Sequence, residues 1–175
     1  MSTQEVISSA AAVLSAVGGA FAAFAAFRSA ESARISQQAA AAAEQRAALR
    51  QIGTTATEVL IEAERIASRG CDLKIAYRTL FTFAGQSNGS RQKIYDAAAD
   101  EKLKHASKLA DYAKLFTAAA GKLNGTPPEE TDRVQVRLSN ALMKIRALRE
   151  DLERELSGVE GQSATYRDKV IKGAI

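Results

Sequence analysis

VISSAAAVLSAVGGAFAAFAAF, residues 6–27, contains no charged side chain, and as a helix it is about 33 Å long, the depth of one hydrocarbon core. At about 100° per residue, Val6, Ile7, Val13, Leu14, Val17, Phe21, Phe24 and Phe27 gather on one half of the helix. Ser8, Ala11, Ala12, Ser15, Ala16, Gly18, Gly19, Ala22, Ala23 and Ala26 gather on the other. One face is bulky and the other small. Helices in lipid associate through close backbone approach, so Gly18, Gly19, Ala22 and Ala26 are the expected helix-packing residues in a membrane. Phe21, Phe24 and Phe27 are then the lipid-facing residues.

The same two faces also suit a core helix of a soluble bundle, with the bulky stripe buried and the alanine face half exposed. A cleaved signal peptide is disfavoured, because Met1 to Glu5 supplies no basic residue for a positive n-region. Arg28, Arg34 and Arg46 follow the segment and no Lys or Arg precedes it. The positive-inside rule therefore predicts a single-pass membrane protein with its C-terminal domain in the cytoplasm. Cys71 is the only cysteine and has no partner for an intrachain disulfide, which is compatible with that side.

Beyond Phe27 the chain reads as all-α. Pro127 and Pro128 are its only prolines, alanine is abundant, and no stretch alternates β-branched with polar residues. The expected layout is an N-terminal hydrophobic, transmembrane helix (1–27) and an alanine-rich helical stalk (28–53). An antiparallel helical bundle or coiled-coil-like hairpin (54–161) and a C-terminal tail (162–175) follow. Ile35, Ala39, Ala42, Arg46 and Leu49 form a thin seam along the stalk, while Gly53 and the Thr55/Glu58 capping-box spacing suggest its end.

Within the bundle, Val59, Leu60, Ala63, Ile66 and Ala67 share one helical face, and Gly70 is a candidate cap or bend. Gly85-Gln-Ser-Asn-Gly-Ser90 is a turn, after which Ser90 caps a helix to about Leu123. Its buried stripe is expected at Leu109, Tyr112, Phe116, Ala119 and Leu123, with His105 at the core edge. Asn124 to Pro128 punctuates the chain again; Thr126 is the expected N-cap, Pro127 suits the first turn, and Glu129 completes a capping box. A helical seam then runs through Val134, Leu138, Leu142 (or Ala141), Ile145, Leu148 (or Arg149), Leu152 and Leu156, to pack within the chain or against a protein partner. Gly158 and Gly161 are expected to end it.

One histidine and one cysteine leave no zinc set and no nucleophile–base pair, so no catalytic, cofactor-binding or metal-binding residues are nominated and the chain reads as a non-enzyme. The net charge of +4 is concentrated between Cys71 and Gly125, on lysines that alternate with carboxylates. That pattern suits solubility or an anionic membrane surface better than nucleic acid. The expected function is a membrane-anchored helical interaction or scaffold protein, a homo-oligomer self-associating through its N-terminal helix. The alternatives are a pore-forming or membrane-perturbing protein that shelters this helix until assembly, and a soluble helical adaptor that keeps it buried.

Overall fold

The computed structural model describes residues 22–117, 123 and 125–173, with helical backbone traced from Thr3. Three helices, α1 (Thr3–Phe83), α2 (Ser90–Thr117) and α3 (Pro128–Ile171), make up the fold, with no strand among the described residues. The chain divides into two compact units, Met1–Arg46 and Ala47–Ile175. In the first, every side chain from Ala22 to Glu44 is exposed.

The second unit is a three-helix bundle. Along α1, Leu49, Ile52, Ala56, Val59, Ala63, Ile66, Gly70, Leu73, Tyr77 and Leu80 follow one another in alternating steps of three and four, all buried except the half-buried Ala63. This is the heptad spacing of helices that pack side by side. It starts upstream of the predicted boundary at residue 54, because Leu49 and Ile52 already belong to the core. The predicted interruption at Gly53 does not occur: helix continues, and Thr54 and Thr57 donate their hydroxyls to the carbonyls of Arg50 and Gly53. Glu58 pairs across the bundle with Arg146 and closes no capping box.

Gly70 neither caps nor ends α1. A Cβ built there would lie 2.5 Å from Leu103 Cδ2 and 3.0 Å from Leu103 Cγ, so the glycine is where α1 makes room for α2. The helix ends instead at Gly85, whose φ of +68° is the left-handed conformation glycine tolerates. Gln86 N–H donates to Phe81 C=O and Gly85 N–H to Thr82 C=O, the paired bonds of a Schellman motif. Asn88, also at positive φ, donates its N–H to the buried Gln92 side chain at 2.8 Å, which closes the turn into α2.

The face that α2 buries is not the expected one. Gln92, Ala99, Ala106, Ala110 and Ala113 are buried, whereas Leu109, Tyr112 and Phe116 flank the core half-exposed and His105 is exposed. Ala119 lies outside the described residues. Bulky side chains drew the sequence-based stripe, but α1 and α3 already fill the interior with Ile52, Val59, Ile66, Leu73, Leu138, Ile145 and Leu152. Close packing leaves α2 room for alanine there.

Helix α3 begins at Pro127–Pro128 without a side-chain cap. Thr126 turns its hydroxyl back to Leu123 C=O at 2.7 Å, so the expected capping box is absent; Glu129 and Glu130 still occupy the first turn, where the helix dipole favours anions. Gly158 and Gly161 do not stop the helix, which runs to Ile171 and terminates next to Gly173 at φ +65°. A helical glycine costs about 1 kcal/mol relative to alanine, too little to end a helix whose neighbouring turns form well.

Contacts fix the directions of the three helices. Gly70 meets Leu103, Lys74 pairs with Asp100, and Tyr77 stacks on Tyr95, so α1 and α2 are antiparallel. Glu58 with Arg146 and Glu62 with Arg149 advance together, so α1 and α3 are parallel.

Candidate interaction surfaces

Phe24 and Phe27 are 62% and 68% exposed, and the guanidinium of Arg28 lies 5.8 Å from the Phe24 ring centroid. Ala22 and Ala26 are also exposed. Gly18, Gly19 and Phe21, the other residues expected to pack or face lipid, lie outside the described side chains. No helix among the described residues is long and apolar enough to cross a membrane.

The seam of α3 is occupied by the chain itself. Leu138, Ile145 and Leu152 are fully buried and Leu156 is nearly so, all in the intramolecular core. Leu142 sits at its edge, and Ala141 takes the central position. Any partner of this unit therefore meets another surface.

Polar side chains tie the three helices together. Glu155 of α3 accepts a hydrogen bond from the Tyr77 hydroxyl of α1, and Lys102 of α2 reaches both Glu155 and Asp151 at 2.5 Å. Along the parallel pair, the buried carboxylate of Glu62 is held by Arg149 at 3.0 Å and Arg65 at 3.1 Å. Such charges are expensive to bury without partners, so a slip of one helix past another would strand them. They are register locks. Asp100 joins Lys74 across the α1–α2 contact.

The titration of the tie follows from its geometry. Burial and the hydrogen bond to Glu155 push the Tyr77 phenol far above its ordinary range, so it acts as a fixed donor and not as a base. Burial works against the Lys102 charge, but its bonds to Asp151 and Glu155 prevail and raise its pKa above the usual lysine value. The bond from Lys102 holds Asp151 below the ordinary carboxylate range, against a smaller opposing effect of burial.

Beside this tie opens a cleft of about 840 Å³, floored by Tyr77, Leu80 and Val159 and walled by Tyr95, Tyr166 and Arg91. Tyr95 packs against Tyr77 and Phe81 with ring centroids 4.8 and 5.7 Å apart. The sequence offered little sign of the cleft, since its residues come from three helices at unrelated spacings. His105 and Cys71 are exposed, and among the described residues no group of His, Cys, Asp or Glu is placed to hold a metal ion.

No protein-family model, curated protein or solved structure matches this chain.

Proposed function

We propose that this protein is a membrane-anchored helical interaction protein without enzymatic activity, held by the uncharged segment Val6 to Phe27 and displaying its bundle on the cytoplasmic side. The observation that carries this reading is the exposure of Phe24 and Phe27 at the end of that segment. Burying a phenylalanine stabilises by about 2 kcal/mol, so two bare rings beside an uncharged stretch call for an apolar surrounding. Arg28 begins the charged part of α1 immediately after Phe27, at the place where a helix leaving the hydrocarbon meets the headgroups. Self-association within the membrane would use the small ridge of Gly18, Ala22 and Ala26.

The test is fractionation of cells expressing the full chain, followed by an alkaline carbonate wash and protease probing of the C-terminus. Retention in the washed membrane with the C-terminus accessible from the cytoplasm is expected. Release by the wash, or a soluble protein, overturns the anchor. Replacing Gly18 and Ala22 by Leu is expected to reduce cross-linked oligomers in those membranes, and unchanged cross-linking removes the small-face contact.

A further inference from the structure

The outward face of α3 has features that its own bundle does not explain. Glu150, Arg154, Ser157, Gly158, Gly161, Ala164, Thr165, Asp168 and Lys172 lie within about 60° of Gly161 around the helix, and all are exposed. A Cβ at Gly158 or Gly161 would meet nothing within 4 Å, so neither glycine serves packing inside the chain, although each weakens the helix. Glu150, Arg154, Asp168 and Lys172 form no ion pair among the described residues, and Arg154 reaches only the backbone carbonyl of Glu150.

The charges have an order. Moving outward from Gly161 by equal steps, Arg154 mirrors Asp168 and Glu150 mirrors Lys172, so each charge has its opposite at the same distance on the other side. We propose that this face packs antiparallel against the same face of a second copy, about a two-fold axis at Gly161. Arg154 then faces Asp168 of the second copy, Glu150 faces Lys172 of the second copy, and symmetry repeats both pairs. A parallel arrangement sets each charge against itself, so the pattern selects the antiparallel one. Between the pairs, Ser157, Gly158, Gly161, Ala164 and Thr165 present little side chain, which lets the two backbones approach closely. Four cross-helix ion pairs around a small-residue centre give the face a single self-complementary register. This contact rests on the unit Ala47–Ile175 and stands apart from the membrane reading.

The test is disulfide trapping of purified full-length protein in mild detergent, in a Cys71→Ser background. Gly161→Cys places the thiol on the two-fold axis and is expected to give rapid oxidative dimers. Met143→Cys, 62% exposed on the same helix, lies about 54 Å from its counterpart in the antiparallel pair and is expected not to cross-link. Adding Arg154→Asp to Gly161→Cys turns two attractions into two repulsions and is expected to weaken dimerisation about thirtyfold. Adding Asp168→Arg as well reverses both partners and is expected to restore it. Association through the N-terminal helix alone would leave the Gly161→Cys yield insensitive to both charge changes, and that result overturns the proposal. Equal cross-linking from Met143→Cys, or failure of the double reversal to recover, overturns it as well.

Discussion

Replacing Gly70 by alanine is expected to destabilise the bundle or leave it unchanged, whereas the same replacement at Gly53, in the same helix, is expected to stabilise it. At both sites alanine improves helix propensity by about 1 kcal/mol. At Gly53 the new methyl meets nothing within 4 Å, so the whole gain is realised. At Gly70 it arrives 2.5, 3.0 and 3.1 Å from Leu103 Cδ2, Cγ and Cδ1. Three carbons of one isobutyl group are too near for a simple rotation of its tip to clear them. Leu103 must leave its rotamer or the helices must part, at about 1–3 kcal/mol for overpacking. The two variants should therefore differ by about 1–3 kcal/mol in urea unfolding followed by helical circular dichroism. Leu103→Ala should remove the collision, so that Gly70→Ala in that background recovers its propensity gain. Equal stabilisation by Gly53→Ala and Gly70→Ala in the wild-type background would refute the close approach of α1 and α2.

Two further outcomes follow from the Tyr77–Glu155–Lys102–Asp151 tie. Glu155→Ala leaves the buried Tyr77 hydroxyl without an acceptor and is expected to cost about 2 kcal/mol in denaturant unfolding; Tyr77→Phe, which removes the donor along with the need, should cost less, and the reverse ranking would count against the bond. The folded-state pKa of Asp151 is depressed, so its contribution is present above the ordinary aspartate value near pH ~4 and is lost as pH falls through the folded value. Lys102 is raised, so its contribution is complete below about pH 10 and is lost as pH rises through the folded value. Stability scanned against pH should show Asp151→Asn flattening the acid limb, and an unchanged limb would exclude Asp151 as its source.

Much of the helical layout was legible because turns advertise themselves locally. Gly85 to Ser90 and Asn124 to Pro128 hold residues that the backbone needs at chain reversals; α1 ends and α2 begins beside the first, and α3 begins beside the second. Glycine identity was a poorer guide. Gly85 and Gly173 stand where positive φ closes a helix, but Gly53, Gly70, Gly158 and Gly161 lie inside helices. A helix tolerates an isolated glycine, so the residue alone does not reveal whether it serves a turn, a close approach or an exposed face. The α3 seam was visible because its large apolar residues recur at helical spacing. The α2 stripe was misplaced because the enclosed face of that helix carries only small side chains, Ala99, Ala106, Ala110 and Ala113, while the large apolar residues flank it.

By itself, the sequence determined that the chain is helical, where its turns fall and that residues 6–27 carry no charge, since propensity and periodicity are local properties. Tertiary structure decided that α3 spends its seam on α1 and α2, that Gly70 is a point of helix contact, and that Glu155 joins all three helices. These depend on which faces meet. Residues as far apart as Tyr77 and Glu155 become partners only after packing fixes the rotation and register of each helix.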